Sequence, residues 1–226
     1  MGALGEATRA DVVRAWAGLG YNRRAVRLHE AARAIVREHD GRVPPDAATL
    51  RTLPGVGPYT ASAVASIAFG DRAAAVDVNV GRVVARVRRG AEPRELPPHD
   101  LLAEANAWVD PADPGAWNQA VMDLGRELCR PVPRCGDCPL SAWCGFRAAG
   151  RAGGPAGRSQ GRFEGSSREA RGAVIGALRA VDDRTLAGLV RSTGLDRDRL
   201  RRAIDALVRD GLVEEDRLHR FRLPGD

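Results

Sequence analysis

Leu53-Pro54-Gly55-Val56-Gly57-Pro58-Tyr59-Thr60 is the stretch on which the fold turns, with Asp77 following it ahead of Val78-Asn79-Val80-Gly81-Arg82-Val83. Two glycines bracket one valine between a short helix ending near Arg51 and a helix beginning near Pro58. Glycine permits the positive backbone angles of a tight inter-helix turn, and proline suits a first helical position, where its missing N–H would have no partner. The turn therefore leaves backbone amides free at a helix start. With the helix dipole, they form a site for one phosphate of a DNA backbone. Alone, a Gly-x-Gly between helices is equally an ordinary turn, and an aspartate before a helix is equally an N-cap.

Outward from the hairpin, apolar residues recur at helical spacing over Ala10–Trp16, Ala25–Val36, Ala61–Phe69, Val78–Val87, Leu101–Trp108 and Trp117–Leu128. Pro97-Pro98 and the Pro111–Gly115 cluster punctuate the series. Strand-like alternation is scarce, so the expectation is an all-α domain of short helices. From Arg147 to about Ser167 the chain is rich in Gly, Arg and Ser without periodicity and reads as a flexible linker. Beyond it, three periodic segments and an alternating stretch from Gly211 to Leu223 make a winged-helix-like pattern, with Arg197, Arg199, Arg201 and Arg202 on its second helix of the turn pair. The expected boundaries are 1–128 for the main domain, 129–146 for a cysteine loop, 147–167 for the linker and 168–226 for the C-terminal module.

The 226 residues carry 35 basic and 29 acidic side chains, a net charge of +6, and every basic one is arginine. Arginine suits phosphate contacts, although a GC-rich coding sequence would give the same bias. No run approaches the roughly 18 apolar residues of a membrane span, and the N-terminus lacks a secretory pattern. A cytoplasmic, nucleoid-associated monomer is expected. All four cysteines, Cys129, Cys135, Cys138 and Cys144, fall within one short segment. In a cytosolic chain that clustering argues for metal ligation, by a [4Fe-4S] cluster or by one tetrahedral zinc.

Four segments in order, Trp16–Tyr21, Leu53–Ala61, Val76–Val84 and Asn118–Gly125, resemble the helix-hairpin-helix superfamily that includes endonuclease III and the MutY-type adenine DNA glycosylases. The resemblance covers roughly residues 5 to 150. It implies the helix-hairpin-helix glycosylase fold and base-excision chemistry on double-stranded DNA containing a mismatch or lesion. It assigns Asp77 as the catalytic carboxylate that stabilises positive charge on the sugar. It assigns Tyr21 as the side chain that fills the stack when a base is extruded, and Gly55, Val56, Gly57, Tyr59 and Asn79 as further DNA-binding residues. A tyrosine commonly follows the residue matching Tyr21, whereas Asn22 stands there.

Bifunctional members carry a nucleophilic lysine at the position of Tyr59. This chain has no lysine, so a monofunctional enzyme is expected. The resemblance also favours [4Fe-4S] over zinc, although C-x5-C-x2-C-x5-C is one residue shorter in its first gap than the family pattern. Arg130 and Arg134 in that loop are candidate phosphate contacts.

Family adenine glycosylases protonate the departing base with a Glu on an early helix. The sequence enters the pattern at about the third helix, so the expectation is a chain lacking its N-terminal segment; neither Glu6 nor Glu30 matches the motif. Adenine opposite 8-oxoguanine or guanine is the leading substrate. The alternatives are a mismatch uracil/thymine glycosylase, since Val78 replaces a common glycine, and a noncatalytic iron-sulfur DNA-binding protein.

Overall fold

The computed structural model describes residues 1–154, 161–181 and 184–225. By internal contacts the chain divides into two units, Met1–Arg42 together with Gln160–Asp226, and Val43–Ser159.

The Val43–Ser159 unit is helical among its described residues, and its helices start where the sequence supplies a starter. To number in chain order, the three N-terminal helices of the other unit are α1 (Gly2–Glu6), α2 (Arg9–Ala15) and α3 (Arg23–Glu38). Here follow α4 (Ala47–Leu50), α5 (Pro58–Phe69), α6 (Val78–Arg89), α7 (Pro98–Trp108), α8 (Pro114–Glu127) and α9 (Gly145–Ala148). Proline occupies the first position of α5, α7 and α8, where no N–H is needed. Gly70 and Gly90, at φ 73° and 62°, end α5 and α6 in the left-handed conformation that glycine adopts without steric cost. Val80, Val83 and Val84 of α6 are fully buried against Ala74, Ala105, Val109 and Val121, and Trp108 meets Trp117 edge to face at 5.8 Å. This i, i+3, i+4 stripe is the pattern the sequence displays, now seen as the face on which α7 and α8 pack.

In the other unit, α1–α3 are joined by α10 (Ser167–Ala180), α11 (Leu186–Thr193) and α12 (Arg197–Arg209). Strands β1 (Arg184–Thr185), β2 (Glu214–Glu215) and β3 (Arg220–Arg222) form a small antiparallel sheet in the order β1-β3-β2, with Phe221 opposite both Arg184 and Glu215. One core holds Val174, Ile175, Leu178, Leu189, Leu200, Ile204, Leu207 and Phe221 together with Ala10, Val13 and Val26. These contact-defined units differ from the boundaries drawn on the sequence. Ala10 and Val13 of α2 and Val26 of α3 find partners in the C-terminal module, a pairing that helical periodicity cannot reveal, while α1 packs on α3. Of Arg197, Arg199, Arg201 and Arg202 on α12, two are used internally: Arg199 binds Glu169, and Arg201 binds Asp205 and Glu215.

The expected linker is ordered in part; its residues 155–160 lie outside the described residues. Before them, the Arg151 guanidinium grips the Glu95 carboxylate with both nitrogens, donates to the Gly90 carbonyl at 3.0 Å and stacks on Phe146 at 4.9 Å. Among the described residues no helix is long and apolar enough to cross a membrane. The Arg151 side chain pulls the Glu95 carboxyl down to about 2. A carboxyl depressed in the folded state adds stability that is present above its usual range and is lost as pH falls through the depressed value. Protection of the residue 147–154 amides, taken relative to their intrinsic exchange rate at each pH, should therefore fall as pH drops from about 4.5 to about 2, and Glu95→Gln should show the lower protection already at about pH 5.

Candidate active site

The hairpin is built as its residues dictate. Gly55 sits at φ 75°, and the Val56 amide closes the turn on the Leu53 carbonyl at 3.2 Å. Gly57 is the N-cap of α5 with extended backbone at φ −84° and provides no side chain to cap it. Space above Gly57 is open, since nothing lies within 4 Å of where a Cβ would stand. Its lack of a side chain answers no packing need of the protein itself. The Tyr59 hydroxyl donates to the Met122 sulfur at 3.2 Å and so ties α5 to α8.

Asp77 caps α6. Its Oδ1 accepts the Asn79 and Val80 amides at 2.8 and 2.7 Å, and its Oδ2 accepts Asn79 Nδ2 at 3.0 Å. The carboxylate is half-buried and held by both oxygens, while Val78 beside it is 74% exposed. The segment leading to Asp77 belongs to no helix or sheet, so its backbone groups need other partners. Asn106 Oδ1 accepts the Ala74 amide at 2.9 Å, and Asn118 Oδ1 accepts the Ala75 amide at 2.8 Å. Asn118, fully buried on α8, also turns its Nδ2 toward Ser66 Oγ and the Ala73 and Pro114 carbonyls, at 2.9–3.0 Å.

A hydrogen-bonded chain runs from Asp77 toward the cysteines. Asn79 Oδ1 accepts Arg82 Nη2 at 2.9 Å, and the same nitrogen donates to the Gly125 carbonyl at 2.7 Å, while Arg82 Nε donates to the Cys129 carbonyl. Burial pushes the Arg82 guanidinium down from its usual range. Gly125 permits this packing: a Cβ there would stand 2.8 Å from the Asn79 Cβ and carbonyl oxygen.

One turn on, Arg86 lies beneath the cysteine loop, 2% exposed and stacked on Phe146 at 4.7 Å. It binds the Arg130 and Pro131 carbonyls and Glu92, with Nη1 at 3.8 Å from Cys129 Sγ. Burial opposes its charge, but Glu92 and Cys129 outweigh that, and the net displacement is upward. Burial likewise pushes the Cys129 thiol up, against the pull of Arg86. Cys129, Cys135, Cys138 and Cys144 line one cavity, shared with Val87, Leu124, Leu128 and Phe146.

The structure thus gathers the hairpin residues, Tyr59, Asp77, Asn79 and the cysteines into the Val43–Ser159 unit; Tyr21 belongs to the other. Tyr21 is 65% exposed at φ 47°, with the Arg24 guanidinium 5.4 Å from its ring centroid. Arg134 is paired with Asp137 at 2.7 Å, and Glu30 with Arg27 at 2.9 Å. Sequence reasoning missed Asn118, Arg82, Arg86 and Gly125 as site-builders. Arg82, Asn118 and Gly125 lie inside the motifs of the resemblance, but their contacts across the chain leave no local signal.

Residues 1–108 match the HhH-GPD superfamily of base-excision DNA repair proteins. Among solved structures, a thermostable thymine-DNA glycosylase superposes with a TM-score of 0.59 at 31% identity, covering 65% of this chain and 69% of that one. Endonuclease III in a non-covalent DNA complex gives 0.52 at 25% identity, covering 66% and 70%. The adenine DNA glycosylase of Mycolicibacterium smegmatis is 42% identical over 96% of this chain and 74% of its own length. The Mycobacterium tuberculosis adenine DNA glycosylase is 42% identical over 99% and 75%, and the human one 49% identical over 64% and 27%. Within the helix-hairpin-helix superfamily, the chain belongs to the adenine DNA glycosylases.

Two substitutions test how the site is held. Asn118→Leu leaves the buried Ala75 amide without its partner and takes a donor from Ser66 and the Ala73 carbonyl, and should cost about 1–3 kcal/mol in denaturant unfolding. Gly125→Ala forces α8 off Asn79 and should cost about 1–3 kcal/mol, read the same way.

Proposed function

We propose that the chain is a monofunctional base-excision glycosylase that hydrolyses the N-glycosidic bond of adenine mispaired with 8-oxoguanine or guanine in double-stranded DNA. The observation that carries this reading is Asp77, a carboxylate fixed through both oxygens at the start of α6 in a chain 42% identical to adenine DNA glycosylases. Breaking the bond builds positive charge on the sugar, and a carboxylate that need not reorganise lowers that barrier. Water completes the reaction. No lysine amine is present to attack the sugar instead, which supports hydrolysis without strand cleavage.

The hairpin supplies the grip. Uncapped amides at the start of α5 face open space over Gly57, where a phosphate oxygen can come close to the backbone. Tyr21 fills the stack once the base is out.

The cysteines support a [4Fe-4S] cluster. All four cysteines line one cavity. A cubane cluster takes one thiolate at each iron, and these four thiols can supply them. Bound there, it would supply rigid cross-linking of the loop. Metal analysis of the purified chain should give about four irons per chain and little zinc.

The deciding assay incubates the protein with duplexes carrying A opposite 8-oxoguanine, A opposite G, U opposite G or T opposite G, followed by alkali. Adenine release that falls about a hundredfold or more in Asp77→Asn supports the proposal. Release of U or T alone, or binding with no release from any duplex, defeats it. Gly57→Ala should leave the unfolding midpoint unchanged while weakening duplex binding about three- to tenfold, because its added methyl meets only the phosphate.

A further inference from the structure

The loop between α2 and α3, which carries Tyr21, is under backbone strain. Gly18, Gly20 and Tyr21 are all left-handed, at φ 83°, 64° and 47°, a conformation that costs a tyrosine about 1 kcal/mol. Such a residue persists only where its surroundings over-determine it. Part of the restraint is local. The Trp16 indole donates to the Gly20 carbonyl at 2.9 Å, and Arg24 donates to the Leu19 carbonyl at 3.2 Å while lying over the Trp16 and Tyr21 rings.

A further restraint comes from the C-terminal module. Arg179, in the last turn of α10, donates through Nε and Nη2 to the Val13 carbonyl at 2.9 and 2.7 Å, and through Nη2 to Asn22 Oδ1 at 3.0 Å. Val13 lies in the last turn of α2, and Asn22 directly precedes α3, so one guanidinium spans both ends of the loop. Asn22 holds the N-cap position of α3, yet its side chain makes no capping bond and instead accepts Arg179. The guanidinium is half-buried, burial pushes it down from its usual range, and among the described residues no carboxylate pairs with it. A desolvated cation satisfied only by two loop-end oxygens is expensive if its role is merely to fill space.

We propose that Arg179 is a positioning residue for Tyr21: by bridging Val13 and Asn22, the C-terminal module fixes the direction in which the Tyr21 loop presents its side chain to the DNA stack. This rests on Tyr21 acting as the wedge. It gives the module a part in base extrusion that requires no DNA contact of its own.

A double-mutant cycle on the full chain tests the coupling. The probe is a duplex with 2-aminopurine opposite guanine, held at saturating protein, and the readout is the fluorescence rise on unstacking, which needs no bond cleavage. Arg179→Met should lower the extrusion equilibrium roughly tenfold in the parent, by the scale of a lost charged hydrogen bond, and change it less than about twofold in a Tyr21→Ala background. Equal losses in both backgrounds overturn the proposal. A Tyr21→Ala variant that extrudes like the parent overturns the wedge reading itself, and the proposal with it, so the two failures are distinguishable. Asn22→Ala removes only the loop-side acceptor and leaves the Val13 contact and the core in place. It should repeat the pattern with a smaller loss, and it carries the cycle should Arg179→Met not fold.

Discussion

The candidate active site depends on one buried amide. Asn118 gives its oxygen to the Ala75 amide and turns its nitrogen toward Ser66 and the Ala73 and Pro114 carbonyls, so a single side chain on α8 grips α5, its own helix start and the approach to Asp77. A segment outside any helix or sheet would otherwise bury its backbone groups unpaired, at a cost of about 1–3 kcal/mol for each. Leucine would fill the volume but could not discharge this role. The carboxylate at the end of the segment is fixed because the peptide behind it is.

Charge on α6 is organised by the same rule. Arg82 and Arg86, one turn apart, point inward and are consumed by carbonyls, by Glu92 and by the neighbourhood of Cys129. Part of the positive charge that composition suggests for a DNA partner is therefore structural. On the C-terminal module the same holds for Arg199 and Arg201, whose acidic partners lie within the module. Total charge does not separate such internal pairs from DNA contacts, because arginine serves equally well as an internal multi-donor bolt.

What could be read in the sequence was what is local. The glycines and proline of the hairpin, Asp77 ahead of an apolar stripe, and the cysteine cluster each carry their meaning within a few residues, and each lies where local rules put it. What could not be read was contact across the chain. Gly125 looks like any helical glycine until Asn79 is placed against it, and Arg151 sits in a stretch whose composition suggests a linker although Glu95 holds it down. The faces of α2 and α3 were legible as apolar, but not what covers them.

That last pairing has a temporal consequence. Val13 and Val26 share their core with Ile175, Leu200 and Phe221, and Arg179 reaches back 166 positions to Val13. During synthesis the Val43–Ser159 unit has all its own segments well before the other unit has its last. Until the C-terminal residues emerge, Ala10, Val13 and Val26 lack these partners and are open to aggregation or to a chaperone. Non-local closure of this kind slows folding, because the chain entropy is lost before the contacts repay it. The Arg179 bridge across the Tyr21 loop therefore cannot close before the C-terminal module is made.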